Sequence, residues 1–440
     1  MAASTMRILL LGSGGREHAL AWKIAQSPRV SALHCVPGNP GIAAHAHLER
    51  GNILNPPEMA DLAERLRADL TMVGPEAPLV AGVVDEFQAR GQPAGWRHGL
   101  RIVGPSRAAA RLEGSKIFAK QFMARHGIPT AEFAVCESVP EARIHLQKLG
   151  FPVVIKADGL AAGKGVVVAS DVRETEATLH AMLDGKLVGD AGRRVVLERF
   201  LPGEEVTFTV LADGRNALAL PPTQDHKRVF DGDRGPNTGG MGAYSDDAIL
   251  PGELRQRVMR EIVQPTLAGM EAEGAPFRGV LYVGLMLMPE GPRVLEYNVR
   301  FGDPETQPLM MRLASDLVPL LEATTDGTLG SARAEWTAGA TACVVAASAG
   351  YPGDFERDKA IEGVSDADRL DAVKVFHAGT RRRDSGLVTA GGRVLGVTAA
   401  GADLPEALAR AYEGIRRVRF EGMHYRTDIG KKGLSRKAHE

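Results

Sequence analysis

Arg7-Ile-Leu-Leu-Leu-Gly12 is a short unbroken apolar run ending in glycine, the pattern of a parallel strand buried on both faces. A helical stretch from Glu17 to Ser27 and a Pro-Gly-Asn-Pro-Gly turn at 37–41 follow it. Two more short strands end at loops, Asp69-Leu-Thr-Met-Val-Gly74 and Arg101-Ile-Val-Gly104. Strands alternating with helices predict βαβ units and a doubly wound parallel sheet for residues 1–106.

From 107 to 330 the pattern becomes α+β. Phe151-Pro-Val-Val-Ile-Lys156 and Gly165-Val-Val-Val-Ala169 read as a hairpin joined by a glycine-rich turn. Arg194–Glu198 and Glu205–Leu211 are further strands, and a long helical segment over about 252–273 leads to strands at 279–288 and 293–298. The region 331–440, a small α+β domain, holds strands near 340–347, 372–376 and 393–398. It closes with a helix for which Asp403 is the expected N-cap and Leu404, Leu408, Tyr412 and Ile415 the apolar stripe. Weak linkers fall near 325–335 and 381–386, and there is no internal repeat.

Composition narrows the function. At 440 residues, the chain has room for roughly three domains, each with its own core. Its 53 basic and 54 acidic residues leave a net charge of −1, which disfavours nucleic acid and anionic lipid as partners. Cys35, Cys136 and Cys343 stand far apart without a CxxC pair, as in a reducing compartment, so neither a disulfide framework nor a thiolate zinc site is expected. The longest apolar stretch, Val280 to Met288, is about half of a membrane helix, and residues 1–5 lack a signal-peptide core. A soluble cytoplasmic protein is the expectation.

Four segments carry candidate chemistry. In Lys156-Ala-Asp-Gly159-Leu-Ala-Ala-Gly163-Lys164-Gly165, small residues free the backbone N–H groups to approach a polyphosphate, and lysines add charge. It is not a Walker A loop, because Asp158 stands where glycine is required and Gly165 where Ser or Thr should be. A solvent-facing hairpin is the alternative, against which Lys156 argues by ending an apolar strand and pointing a cation at the loop. In Glu296-Tyr-Asn298-Val-Arg300 the three polar residues share one face of a strand. Carboxylate and amide oxygens there suit Mg²⁺, and a guanidinium clamps a carboxylate or phosphoryl oxygen. An amphipathic edge strand facing solvent fits the spacing as well.

Gln224-Asp225-His-Lys227-Arg228 precedes the glycine-rich loop Gly235–Gly242, and could grip an anion, although a solvated charge run explains the local pattern better. Gly12-Ser-Gly14-Gly15-Arg16-Glu17 follows the first strand, where a helix N-terminus suits a sugar phosphate. Glu17 occupies the last glycine position of a dinucleotide fingerprint, which disfavours NAD. His18, His226 and His377 are too scattered for a metal set, and the methionines from 286 to 311 read as core or pocket filler.

The segments Gly12–Leu20, Val73-Gly-Pro-Glu76-Ala-Pro-Leu79, Leu112-Glu-Gly-Ser-Lys116, Ile155–Val166, Gln224–Arg228, Gly235–Tyr244 and Arg300–Pro308 resemble the phosphoribosylamine–glycine ligase (GAR synthetase) family of the ATP-grasp superfamily. His377-Ala-Gly-Thr380 and Gly391-Gly-Arg-Val-Leu395 extend the resemblance, which covers residues 6–430. It implies a sugar-phosphate domain, an ATP-grasp region with a small lid over about 125–195, and a C-terminal domain. It further implies that Lys116 and Lys156 hold the α- and β-phosphates, that the 157–166 loop with Gly159, Gly163, Lys164 and Gly165 closes over the triphosphate, and that Glu198, Phe200 and Leu201 form the hinge beside adenine. Glu205 would take the ribose hydroxyls and Met286 would pack on the base. Glu296 and Asn298 would coordinate Mg²⁺ or Mn²⁺, and Arg300 would stabilise an acyl phosphate. Many ATP-grasp proteins place a second acidic ligand near the position of Gly284, where this chain has no carboxylate. By position, Gly12, Gly14, Gly15, Asn39, Glu76, Asp225 and Lys227 are substrate-binding candidates.

The implied reaction joins glycine to 5-phosphoribosylamine at the expense of ATP, on small-molecule substrates only, with the protein a monomer or weak homo-oligomer. Another ATP-grasp ligase, a carboxyphosphate-forming carboxylase, or a non-catalytic nucleotide-binding regulator are the alternatives.

Overall fold

The computed structural model describes residues 5–92, 99–160, 165–185, 187, 189–384 and 386–437. Met6–Gly12 is the central strand of a five-stranded sheet, with Val30–Pro37 and His47–Leu48 on one side and Leu70–Val73 and Ile102–Val103 on the other, every pair parallel. Ile8 and Leu10 enter one hydrophobic core while Leu9 and Leu11 enter another, all four fully buried. Both faces are covered, which is why the run has no polar gaps. The first helix spans Gly15–Ile24 instead of Glu17–Ser27. Glu17 sets the earlier start, because its carboxylate accepts from the Gly14 N–H at 2.5 Å and closes the open end of the helix.

A four-stranded antiparallel sheet runs in the order Phe133–Cys136, Val195–Arg199, Val153–Ala157, Val166–Ala169. The hairpin pairing is as expected, with Val153 opposite Ala169 and Lys156 opposite Val166. Val153, Ile155 and Ala157 turn towards the helices Val139–Leu149 and Val172–Leu183 and build a core with Leu146, Leu179 and Leu197. Alternation then sends Val154, Lys156 and Glu198 to the opposite face, over a cavity.

The other wall of that cavity is a nine-stranded sheet. From one edge it runs Gly291–Asn298, Arg278–Met288, Glu204–Asp213, Thr223–Asp225, Gly242–Ser245, Ala340–Ala347, Arg393–Gly401 and Val373–His377, with Ala217–Ala219 paired to Glu204–Asp213. Backbone hydrogen bonding passes without a break from Gly242–Ser245 to Ala340–Ala347, so the C-terminal strands extend the same sheet. The apolar stretch 280–288 lies within the Arg278–Met288 strand, and among the described residues no helix is long and apolar enough to cross a membrane.

Three sequence expectations meet particular outcomes here. The helical segment 252–273 is α-helix over Gly252–Val258 and Gln264–Ala272, with the wider π turn Met259–Val263 between them. That widening comes just ahead of Pro265, which has no N–H to offer a helical ladder. The linker expected at 381–386 is instead part of a hairpin, Thr380–Arg383 paired with Gly386–Thr389. Its arginine run is held by Asp358, which accepts from Arg381 at 2.5 Å and from Arg383 at 3.0 Å. The closing helix Leu404–Arg417 starts as expected, the Asp403 carboxylate accepting from the Glu406 N–H, with Leu404, Leu408 and Ile415 buried.

Candidate active site

The cavity between the two sheets is about 500 Å³ and is lined from both walls and from the N-terminal domain. One side is cationic. Lys156 ends its strand buried, and its Nζ donates to the Leu295 carbonyl and pairs with Glu198 Oε1, both at 2.9 Å. Lys120, one turn beyond Lys116 on the helix Lys116–Arg125, reaches the other oxygen of Glu198 at 2.7 Å and donates to Thr130 Oγ1 at 2.7 Å. Burial pushes Glu198 up, but the two lysines outweigh it and hold the carboxyl below its ordinary range. Burial likewise pushes Lys120 down to about 8 against the pull of Glu198. One carboxylate and two ammonium groups leave a formal charge of +1 beside the cavity, which suits an anionic ligand.

Among the described residues, Lys156 therefore meets the cavity wall at Leu295 and Glu198 and makes no bond to the glycine-rich turn. Lys116 is the lysine that reaches that turn, donating to the Gly159 carbonyl at 3.0 Å. Gly165 lines the cavity, while Gly163 and Lys164 lie outside the described residues. Phe200, Leu201 and Met286 supply its apolar lining next to Glu198.

Replacing Glu198 with glutamine strips two buried lysines of their counter-ion. Breaking such a pair costs on the order of 3–5 kcal/mol, to be read as a fall in the urea midpoint at unchanged slope. The Glu198 carboxyl is held low, so its stabilisation is present at neutral pH and fades only as pH falls below the ordinary carboxylate range. A wild-type midpoint in the variant would remove the triad's structural role.

The opposite side of the cavity is acidic. In the strand pair 278–288 and 291–298, Leu285 faces Val294 but Gly284 faces Glu296, so Leu295 is an extra, bulged residue. The bulge turns the Leu295 carbonyl to Lys156 and aims Glu296 and Asn298 into the cavity. Asp225, His226 and Lys227 fold inward, as do residues 240–244, against the local reading of a solvated run, whereas Gly235 and Pro236 are exposed. Lys227 lies 3.1 Å from Asp225, 3.3 Å from Glu205 and 3.9 Å from Glu296. Burial opposes its charge, but Asp225 and Glu205 prevail and hold it well above the ordinary lysine value. Burial pushes Glu205 up, partly offset by Lys227, whereas Lys227, Lys156 and Lys116 overcome burial and hold Glu296 low.

Three carboxylates around one ammonium carry a formal −2. That charge, with the hard oxygens of Glu296 and Asn298, fits Mg²⁺ or Mn²⁺, which share their coordination with water and phosphate. Among the described residues no three His, Cys, Asp or Glu side chains converge as a protein-only metal cage. At Gly284 a Cβ would stand 3.3 Å from Glu296 Cγ, so any side chain there would need Glu296 to shift by a few tenths of an ångström.

Arg300 lies just past the strand and folds back on it. It donates to Glu113 Oε1 at 2.8 Å, Asn298 Oδ1 at 3.2 Å and Glu76 Oε2 at 3.3 Å. The other oxygen of Glu113 accepts the Val299 N–H at 2.7 Å. Burial pushes Glu113 up and Arg300 down, but Glu113 and Glu76 keep the guanidinium above its usual value.

The glycine loop of the N-terminal domain is in contact with carboxylates of the chain itself. The Gly14 N–H is taken by Glu17 at 2.5 Å and the Arg16 N–H by Asp303 at 3.4 Å, so the helix end already meets carboxylates of the protein. At Gly12 (φ +125°) a side chain would collide with Glu17 and Pro75, and at Gly15 with Gln307. Asn39 uses its whole amide internally: Nδ2 donates to Ser13 and His377 carbonyls at 2.8 Å, and Oδ1 accepts from Gly41 and Ile42 at 2.9 Å. It shapes the loop. His18 and His226 are buried as expected of core histidines, and burial, then Arg426, pushes His226 down to about 4.

Sequence reasoning missed Glu113, Lys120, Tyr282, Asp303, Glu305 and Arg393. Lys120 had a signal in its four-residue spacing from Lys116 on one helix face. Arg393 had a signal only in the 391–395 segment of the resemblance, with no role attached: it comes from a strand towards the far side of the large sheet to donate to the Gly239 and Asp303 carbonyls at 2.6 and 2.5 Å, tying the glycine-rich loop to the turn after Arg300.

A nucleotide-sized cavity between two antiparallel sheets, cationic on one wall and acidic on the other, defines an ATP-grasp protein. Family models for phosphoribosylglycinamide synthetase match in chain order, the N domain at residues 6–113, the ATP-grasp (A) domain at 114–306 and the C domain at 341–432. The chain belongs to the phosphoribosylglycinamide synthetase family. A phosphoribosylamine–glycine ligase from Pseudomonas aeruginosa is 51% identical over 99% of this chain and 100% of its own. The crystal structure of the Thermotoga maritima phosphoribosylamine–glycine ligase is 36% identical, with a TM-score of 0.80 over 96% of this chain and 100% of that one. The biotin carboxylase domain of a Hydrogenobacter thermophilus 2-oxoglutarate carboxylase matches at TM-score 0.73 over 96% of this chain and 92% of its own, and at 16% identity shares the fold alone.

Proposed function

We propose that this chain is an ATP-dependent ligase that joins glycine to 5-phosphoribosylamine, giving 5′-phosphoribosylglycinamide, ADP and phosphate in purine biosynthesis. The observation that carries the reading is one cavity in which Lys116 and Lys156 face Glu296 and Asn298, with Arg300 at its inner end. The full-length likeness to named ligases supplies the identity of the two substrates.

Glycine's carboxylate is a poor electrophile until one oxygen becomes a phosphate. Its attack on the γ-phosphorus of ATP expels ADP and leaves glycyl phosphate. The amine of the sugar then attacks the carbonyl carbon and expels phosphate. Lys116 and Lys156 neutralise the polyphosphate, Phe200, Leu201 and Met286 enclose the base, and Glu205 takes the ribose hydroxyls. Arg300, held by Glu76, Glu113, Asn298 and the Phe301 carbonyl, would stabilise the developing acyl phosphate through its guanidinium charge. Glu296 and Asn298 would hold Mg²⁺ or Mn²⁺, which supplies charge neutralisation to the transferring phosphoryl group. Asp225 and Lys227 border the glycine end, while Gly12, Gly14, Gly15 and Glu76 border the sugar phosphate. Asn39 supports the sugar-phosphate loop from behind. A cytoplasmic setting is supported by three buried free cysteines.

The test is ADP release with ATP and Mg²⁺ while the sugar amine is generated in place. Release that needs both glycine and the amine supports the reading. Release with bicarbonate in place of glycine would make the chain a carboxylase, and no release in any combination would make it a regulator.

A further inference from the structure

Glu305 is a carboxyl group of the cavity with no task in the scheme above. It is 3% exposed, stands at the N-cap of the helix Thr306–Arg312, and lines the same cavity as Arg300 and Asp225. Two consecutive hydrogen bonds aim it. The Thr207 hydroxyl donates to the Tyr282 oxygen at 2.9 Å, and the Tyr282 hydroxyl donates to Glu305 Oε1 at 2.8 Å. All three side chains are buried, so the chain of donors holds the carboxyl in one orientation. Its other oxygen, Oε2, lies against Gly302, where any side chain would collide with it. Glycine at 302 thus leaves room for that oxygen, and the backbone N–H of Glu305 is a further donor to the carboxyl.

The charged and titratable groups around Glu305 come from every element packed on it. They are Asp225 and Lys227, Tyr282, Arg300, Cys343 and Arg393. Asp225 is already paired with Lys227 at 3.1 Å, whereas Glu305 is met by a neutral phenol. Burial first, and Asp225 second, push Glu305 up to about 7. A base of that strength is ionised enough at neutral pH to accept a proton and weak enough to release it again.

We propose that Glu305, oriented by Tyr282 and Thr207, accepts the proton shed by the attacking amine in the second half-reaction. The proposal rests on the ligase reading given above. As the amine nitrogen bonds to the glycyl carbon, the carbon–oxygen bond to phosphate breaks and phosphate departs with the electron pair. The nitrogen then carries one proton too many. That proton passes to Glu305 Oε2 and on to solvent, leaving a neutral amide and an ionised carboxylate.

The test is Glu305→Gln, assayed with saturating ATP, glycine and in-place sugar amine from pH 6 to 9. In the wild type, turnover is expected to fall as pH drops below about 7, because the base becomes protonated. In the variant, kcat is expected to fall by about 100-fold or more, with the KM for glycine and ATP close to wild type and the acidic limb gone. A raised glycine KM at normal kcat would make Glu305 a counter-ion for the glycine ammonium and overturn the proposal, as would near-normal kcat. If Glu305→Gln does not fold, Tyr282→Phe decides. Losing a donor to the ionised carboxylate should move the acidic limb to higher pH, and an unmoved limb overturns the proposal. A wild type without glycine- and amine-dependent ADP release would instead sink the ligase reading itself, so the two failures are separable.

Discussion

Arg300→Ala should lower kcat/KM by about 100-fold or more, and should also weaken the fold. Both effects come from one geometry. The guanidinium is nearly enclosed between Glu113 at 2.8 Å and Glu76 at 3.3 Å, and its hydrogen bond to Asn298 links it to the acidic wall. Alanine removes the group proposed to meet the transferring phosphoryl oxygens and leaves Glu113 buried without its cation. Glu113 is already pushed up by burial, so it should take up a proton in the variant and destabilise the fold most at high pH. A double variant, Arg300→Ala with Glu113→Gln, separates the two effects. It should regain much of the lost thermal stability while turnover stays low. Recovery of turnover together with stability would reduce Arg300 to a structural strut. Arg300→Lys should fold but remain slow, since a point charge cannot reproduce the planar fork.

Glu296→Ala should lower turnover by a similar factor, about 100-fold or more, for a different reason and with little change in stability. Glu296 is one-third exposed, and its nearest cation, Lys227, is 3.9 Å away and closer to both Asp225 and Glu205. No buried charge is stranded when it goes. The variant should need a higher Mg²⁺ concentration for half-maximal ADP release, with melting temperature near wild type. An unchanged metal requirement with normal turnover would remove Glu296 from the metal site.

How much of this was legible in the sequence depends on the range over which each feature is decided. The N-terminal sheet could be read because Ile8 to Leu11 are buried on both faces, so burial itself writes an unbroken apolar run. The hairpin around Lys156 could be read because its pairing is local. Glu296 and Asn298 could be grouped by strand alternation, although the bulge at Leu295 that aims them was invisible and Arg300 joins them from beyond the strand end. The segment 225–228 misled, since a lysine among three acids looks like a solvated surface until strands from residues 204 and 291 onward enclose it. At the helix end by Gly14, nothing in the sequence showed that Glu17 and Asp303 meet the Gly14 and Arg16 N–H groups.

By itself the sequence determined the first buried strand, the hairpin around Lys156, the closing helix and, through several motifs in order, the family. Those features follow from local periodicity and residue chemistry, which act over a few positions. Only the tertiary structure decided that Lys156 leans on Glu198 and Lys120, that Arg393 reaches across the large sheet, and that Glu305 is aimed by Tyr282 and Thr207. Each of these joins residues dozens to hundreds of positions apart. Their protonation and orientation are set by burial and by neighbours from other strands, which no local pattern records.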